Sequence, residues 1–515
     1  MDVASLPPEP RPEADVLLST GVPGLDDVLG GGLTPNRLYL VEGTPGAGKT
    51  TIALQFLIEG TLRGESVLYV TLSETATELR GVARSHGWDL SAIHMRELLP
   101  SQDSLLPDEQ YTMFHPSEVE LSETTLKILA DVDTLKPTRV VFDSLSEMRL
   151  LSGTSLRYRR QILALKQFFA GRQCTVLLLD DMTATEHDLQ VQSIAHAVLL
   201  LEQLNPDYGA ARRRLVVVKY RGQAFRGGYH DYKIIRGGLQ VFPRLVASEH
   251  PSRALQRKLP SGITALDELL GGGIELGTST LFVGAPGTGK STISVQFALA
   301  AARRGECAAL FIFDESINTL CSRCEGMGMD LAPYLASGHI RVKQVDPAEL
   351  SPGELVHGIR IAVTQHRASV VIIDSLNGYL NAMPDERFLI VQLHELLTYL
   401  GQAGVATLLV GAQHGLIGTQ MQTPVDASYL ADAVVMLRYF ESRGEVRQAI
   451  SVMKKRGGAH ERTIRDFRMT ATGLEVGEPL RNFRGILTGV PVPEDAGPTG
   501  SATDAAIGTA TGTAT

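Results

Sequence analysis

Two lysines, Lys49 and Lys290, each close a glycine-rich run of the same spacing. The runs read Gly43-x-x-x-x-Gly48-Lys49-Thr50 and Gly284-x-x-x-x-Gly289-Lys290-Ser291. Glycines let a backbone turn tightly enough for its N–H groups to surround phosphate oxygens, and a helix that follows aims its positive dipole end at the same anion. The lysine supplies a point charge for the outer phosphates, and the hydroxyl beside it can ligate Mg²⁺. The expected cradles are Gly43, Thr44, Pro45, Gly46, Ala47, Gly48, Lys49, Thr50 and Thr51, and Gly284, Ala285, Pro286, Gly287, Thr288, Gly289, Lys290, Ser291 and Thr292. A lone match of this kind is weak, because a Gly-rich turn reads alike. Two matches, each between an apolar run and a helical pattern, point to two phosphate-binding loops.

Carboxylates recur at matching places. Asp143 and Asp374 each end an apolar run, VVFD and VVIID, and precede Ser. An ionised Asp at the end of a buried strand needs a partner, and a hydrated Mg²⁺ beside the phosphate loop supplies one. With Thr50 and Ser291 they make up the expected metal set; the alternative is an N-cap at a strand-to-helix turn. Glu74 and Glu315 follow the strand after each loop helix, preceded by Ser73 and Asp314. A carboxylate there can orient and deprotonate an attacking water; the alternative is a solvated loop acid. Lys219/Arg221 and Lys454/Arg456 form K-x-R pairs at a late strand. Cations two apart share one strand face and can stabilise charge on a γ-phosphate in trans; the alternative is a solvated basic strand end. Cys321-x-x-Cys324 has no second pair to complete a zinc site and reads as two ordinary thiols. The 13 His residues show no metal spacing.

These residues need a scaffold that repeats. STGVPGLDDVLGGGL from Ser19 matches PSGITALDELLGGGI from Pro260, and 241 residues separate Lys49 from Lys290. The separation shortens to 231 between Asp143 and Asp374. The first copy therefore carries about ten extra residues, which fall in the polar, loop-like stretch Leu99–Glu118. So long a period marks a duplicated domain, not a solenoid unit. Each copy reads strand, phosphate loop, helix, strand, helix, strand. RLYLVEG and STLFVGA are strands, and TIALQFLIEGTLR and TISVQFALAAARR have apolar residues at amphipathic helical spacing. Continuous apolar runs such as RVVFD and SVVIID suit central parallel strands covered on both faces. The expected fold is α/β, two tandem domains with mostly parallel central sheets and right-handed crossovers. The predicted organisation is a flexible start at 1–14, a first domain at 15–245, a linker at 246–257, a second domain at 258–487 and a disordered tail at 488–515. The tail is small, polar and Gly/Thr/Ala-rich, with little to bury.

Composition limits the function classes. The 515 residues are 43% apolar and 20% charged, enough for two sizeable cores. The net charge is −9, which opposes indiscriminate nucleic-acid binding, although a local basic channel needs only a few cations. Four cysteines do not make a disulfide framework. The opening MDVASLPPEPRPEAD lacks the basic and apolar regions of a signal peptide, and no apolar run approaches the ~20 residues of a membrane helix. The expected location is the cytoplasm.

With these residues in hand, the chain resembles the KaiC family of RecA-like ATPases and autokinases over about residues 15–487. The entry segments, both phosphate loops, both Asp-ended strands and the closing DAVVMLRYFESRGEVRQAISVMKKRGGAHERTIRDF carry the likeness. The resemblance implies two RecA-like domains, Mg-ATP at each, a homohexameric double ring with nucleotide between subunits, and a regulatory protein partner. It implies hydrolysis in the first domain and serine/threonine autophosphorylation in the second. The family's pair of adjacent catalytic glutamates falls on Asp314–Glu315 and Ser73–Glu74. Its adjacent Ser-Thr phosphorylation pair falls on Ser428 and Tyr429, so Ser428 is the phosphorylation candidate. The family's partner-recruiting C-terminal segment is not recognisable here, so the reading stops at an ATPase and kinase scaffold without a clock. Two other readings stand beside it: a RecA- or DnaB-like DNA-dependent ATPase, and a nucleotide-dependent scaffold with one silent ring.

Overall fold

The computed structural model describes residues 16–98, 128–152, 154–182, 189–206, 209–250, 257–381, 386–413, 429–486 and 492–493. The expected insertion at Leu99–Glu118, the phosphorylation candidate Ser428, residues 1–14 and most of the tail lie outside them. The chain divides into two compact units, Met1–Leu245 with Ala348–Gly358, and Val246–Pro347 with Ile359–Thr515.

The first unit holds β1 (Leu38–Gly43), β2 (Val67–Thr71), β3 (His94–Glu97), β4 (Arg139–Asp143) and β5 (Thr175–Asp180). It continues with β6 (Ala197–Leu204), β7 (Arg212–Tyr220), β8 (His230–Ile235) and β9 (Gly238–Phe242). They form one sheet in the order β3-β2-β4-β5-β1-β6-β7-β8-β9. The first six in that order pair in parallel, and β7 to β9 add antiparallel hairpins. Side chains alternate across the sheet: Tyr39 and Val41 enter one core layer with Tyr69 and Val141. Leu38 and Leu40 enter the other with Val70 and Phe142. Burial on both faces explains why these strands read as unbroken apolar runs.

The second unit repeats this plan. A short ladder joins β10 (Lys258–Leu259) to β11 (Ile274–Glu275). The sheet strands are β12 (Ser279–Gly284), β13 (Cys307–Ile312), β14 (Ile340–Gln344), β15 (Ala368–Asp374) and β16 (Ala406–Ala412). They are followed by β17 (Ala433–Ser442), β18 (Glu445–Lys455), β19 (Arg465–Thr470) and β20 (Gly473–Pro479). Their order, β14-β13-β15-β16-β12-β17-β18-β19-β20, is that of the first sheet. In both sheets the loops that follow parallel strands emerge at one carboxyl edge, where α/β sheets bind ligands.

Two expectations need correction. The helix after each phosphate loop is not amphipathic: in helix Lys49–Leu62 every residue from Thr51 to Leu57 is buried. One side packs on the sheet, and the entry segment covers another. Gln55, buried among apolar neighbours, donates to Leu239 O at 3.2 Å and accepts from Leu239 N at 2.8 Å. Gln296 in the second unit donates to Ser261 O at 2.8 Å. In the tail, Val492–Pro493 pairs with Phe483–Arg484 as β22 against β21. Valine and proline both favour extended backbone, which lets this short stretch join a strand.

Arg139, at the start of an apolar strand, is fully buried. Its Nε donates to Glu65 Oε2 at 2.6 Å and its Nη1 to Ser19 O and Phe56 O, both at 2.9 Å. The guanidinium also lies 4.8 Å from the Phe56 ring centroid. Glu65 is held below its usual carboxyl value: burial opposes this, and the bonds and charge of Arg139 outweigh it. Removing one partner of a buried ion pair costs about 3–5 kcal/mol. Arg139→Ala is therefore expected to lower the unfolding free energy of the first unit by that order, read by urea titration of tyrosine and tryptophan fluorescence.

Candidate nucleotide-binding sites

In the first unit β1 runs into the loop at Gly43, and helix Lys49–Leu62 begins at its end. Gly48 sits at φ +98°, and a Cβ there would meet Ile234 Cδ1 at 2.7 Å; Gly289 has the same φ and would meet Phe467 Cε1 at 2.7 Å. Only glycine fits either place. Lys49 is buried, and its Nζ donates to Gly43 O at 2.7 Å and Thr44 O at 3.1 Å. It also pairs with Asp181 at 2.8 Å. Thr50 Oγ1 donates to Asp143 Oδ2 at 3.1 Å, and the buried Tyr69 hydroxyl donates to the same oxygen. Burial pushes the Asp143 carboxyl upward, opposed by these two hydrogen bonds.

Glu74 stands just beyond β2, its N–H donating to Thr71 Oγ1 at 3.0 Å. The next residue, Thr75, caps helix Ala76–His86 in a reciprocal box with Glu78. Glu74 Oε2 is buried with no hydrogen-bond partner among the described residues. Burial, then the charges of Asp143, Glu78 and Asp181, push its carboxyl upward.

In the second unit the corresponding residues line an open cavity of about 550 Å³, within the range of small-molecule pockets. Its walls include Gly287, Gly289, Lys290, Ser291, Thr292, Asp314, Glu315, Arg323 and Asp374. Lys290 Nζ donates to Ala285 O at 2.7 Å. Burial pushes this ammonium down to about 8, with Asp374 opposing. Burial pushes Asp374 up to about 6, with a hydrogen bond from Ser291 opposing. A poorly solvated lysine beside a glycine-lined loop is a receptor for anionic oxygens.

Three residues at these sites escaped the sequence reading. Asp181 holds Lys49, and Ala412 occupies its place in the second unit, as the registers of β1 with β5 and β12 with β16 show. Glu42, buried beside Asp180, is pushed up to about 7 by burial, against a 2.7 Å hydrogen bond from Gln192. Its register counterpart is Val283. Arg323 grips Glu315, at 2.6 Å from Nη2 to Oε1. The signal for Asp181 was present: TVLLLDD is an apolar strand ending in acid, as RVVFD is. The register that makes Arg323 reach Glu315 needs the helix cap to be placed first.

The K-x-R pairs lie elsewhere. Lys219 is in β7 and Arg221 follows it, while Lys454 is in β18 and Arg456 follows that strand. Arg221 N donates to His196 O, and His196 N donates to Leu38 O at the start of β1. The phosphate loop follows the other end of β1, six residues on, or roughly 20 Å at 3.3 Å per residue. The pairs therefore stand apart from the loop of their own unit. Arg221 joins Arg37, Lys166 and His196 around a cavity of about 260 Å³. Arg456 is instead held by Asp432, at 3.4 Å, and by Tyr429 O at 2.7 Å.

The remaining sites are plain. Cys321 and Cys324 are free thiols, and burial pushes Cys324 up to about 11. Among the described residues no group of three or more His, Cys, Asp or Glu is placed to hold a metal. Mg²⁺ bound with nucleotide needs only one or two protein oxygens, because phosphates and waters fill the rest. The touching pairs Thr50–Asp143 and Ser291–Asp374 fit that need. No described helix is long and apolar enough to cross a membrane.

Known proteins are similar to this chain in sequence. The family model described as "ATPase: KaiC" matches the chain twice, at residues 18–246 and 259–481. The circadian clock protein KaiC3 of Synechocystis sp. is 28% identical over 92% of this chain and 94% of its own length. The circadian clock oscillator protein KaiC of Thermostichus vulcanus is 29% identical over 92% of this chain and 91% of its own. That of Synechococcus elongatus is 28% identical over 93% and 92%. Two tandem α/β units of one topology, each with a glycine-lined loop at the sheet edge, and a double match to one family model place the chain in the KaiC family of ATPases.

Proposed function

We propose that the chain is a two-site, Mg²⁺-dependent ATPase whose second domain also phosphorylates its own Ser428. The domains carrying these sites are taken as 15–245 and 258–487. The observation that carries the reading is the convergence, in each unit, of loop lysine, hydroxyl–carboxylate pair and acid on one sheet edge. Lys49 and Lys290 hold the outer phosphates, with the loop N–H groups around them. Thr50 with Asp143, and Ser291 with Asp374, would hold Mg²⁺, which would supply positive charge against the negative charge of the phosphates. Glu74 and Glu315 orient water and take its proton, and Asp314 adds charge beside the second acid. The Glu74 oxygen that is buried without a hydrogen-bond partner among the described residues supports that assignment in the first unit.

The placement of Lys219, Arg221, Lys454 and Arg456 at the far edge supports a role toward a nucleotide on another copy. A ring of copies, taken as a homohexamer, brings such edges together. Burial, then Arg221 and Lys166, push Lys219 below its usual value, which suits a cation awaiting an anion. The named relatives are circadian clock proteins, and a signalling or regulatory role in the cytoplasm, with a regulatory protein partner, is proposed here by analogy. A net charge of −9 and the family match leave the DNA-dependent reading without a supporting observation.

Incubation with γ-labelled ATP followed by peptide mapping tests the kinase part. Label is expected on Ser428, lost in Ser428→Ala and Lys290→Ala, and kept in Lys49→Ala. Label absent, or on other residues only, removes the autokinase and leaves the ATPase.

A further inference from the structure

We infer that Arg323 is a positioning residue that clamps Glu315 and restrains hydrolysis at the second site, releasing the acid only in part when triphosphate binds. This inference rests on the reading of Glu315 as the water-orienting acid.

The local sequence builds the clamp. Ser316 caps helix Ile317–Glu325 by accepting from Thr319 N at 3.1 Å. Arg323 lies seven residues after that cap, about two turns, so its side chain returns to the cap's face of the helix. Glu315 immediately precedes the cap. The guanidinium donates to both carboxylate oxygens, at 2.6 Å from Nη2 to Oε1 and 3.3 Å from Nε to Oε2. Its third nitrogen, Nη1, donates to Thr292 Oγ1 at 3.0 Å, which ties the clamp to the loop helix. The side chains of Arg323 and Glu315 are 29% and 22% exposed, so the pair is shielded from much of the solvent screening that weakens surface pairs.

Among the described residues the first unit has no such clamp. At the repeat position of Arg323 it carries Val82, which packs against the hydrophobic core. Glu74 accordingly keeps one buried oxygen without a hydrogen-bond partner among the described residues. A carboxylate engaged at both oxygens by a charged fork is a poor acceptor for a water proton. Arg323 also lines the cavity that holds Lys290, Ser291 and Asp374. A γ-phosphate there competes with Glu315 for the same fork, since guanidinium pairs carboxylate and phosphate alike. In the nucleotide-bound site the fork is shared between γ-phosphate and Glu315, so the acid is freed only part of the time, which restrains kcat, and the fork adds to nucleotide affinity.

The test uses the full chain with first-site turnover silenced by Lys49→Ala combined with Glu74→Gln. Arg323→Val, the first unit's residue, is expected to raise kcat about three- to tenfold and to raise KM for ATP several-fold. Arg323→Lys keeps a cation in the cavity but loses the fork, so kcat is expected to rise with KM nearly unchanged. A residue that merely supported the fold would not separate the two constants in this way. If both variants leave kcat unchanged or lower it, the clamp is wrong. Glu315→Gln in the same background tests the underlying reading separately: if it leaves turnover intact, Glu315 is not the acid, whatever Arg323 does.

Discussion

Replacing Glu74 and Glu315 together by Gln is expected to lower ATP turnover by about 10²- to 10⁴-fold, the usual range for a positioned general base. Glutamine keeps the shape and loses the proton acceptor. Nucleotide binding is expected to persist, because the loops are untouched. The single changes are expected to differ. Glu74 has an oxygen free of hydrogen bonds among the described residues, whereas Glu315 is gripped by Arg323. Most of the basal turnover is therefore assigned to the first unit, and Glu74→Gln alone should remove most of it. Phosphate release, measured alongside retained nucleotide, separates loss of chemistry from loss of binding. If neither single change slows turnover, these carboxylates are not the acids that act.

Truncating the loop lysines is expected to weaken binding strongly. Removing one member of a buried, hydrogen-bonded charge pair costs about 2–5 kcal/mol, or roughly 30-fold to several-thousand-fold in affinity. Lys290→Ala acts on a site whose lysine is bonded within its own loop to Ala285 O. Lys49→Ala acts on a site where Asp181 already engages the ammonium. Nucleotide must displace that carboxylate in the first unit, so the net loss there is expected at the lower end of the range. The discriminating measurement is titration with a fluorescent ATP analogue against each single variant. Equal affinity in both variants and the unaltered chain would contradict the lysine assignment.

How far the sequence carried these sites depended on which interactions were local. Both phosphate loops, Asp143, Asp374, Glu74 and Glu315 were legible because each sits at a strand end whose apolar run is visible in the chain. A parallel sheet brings such ends to one edge whatever the loops between them do. The antiparallel strands β7 to β9 were less legible, since only their half-buried alternation marks them. Arg139 was invisible: an arginine opening an apolar strand reads as an exposed end, and only the return of Glu65 and two carbonyls makes its burial tolerable. The repeat hid differences as well as revealing likeness. Asp181 against Ala412, and Arg323 against Val82, are single-residue departures at equivalent positions. They matter because partners distant in sequence, Lys49 and Thr292, complete them.

The most direct measurement is the number of adenine nucleotides bound per chain at equilibrium with Mg²⁺ present. Two are expected for the unaltered chain, one each for Lys49→Ala and Lys290→Ala at a ligand concentration that discriminates the lost site, and none for the double variant. Retention of two nucleotides by the double variant, or of none by the unaltered chain, would contradict the account of two glycine-lined phosphate sites.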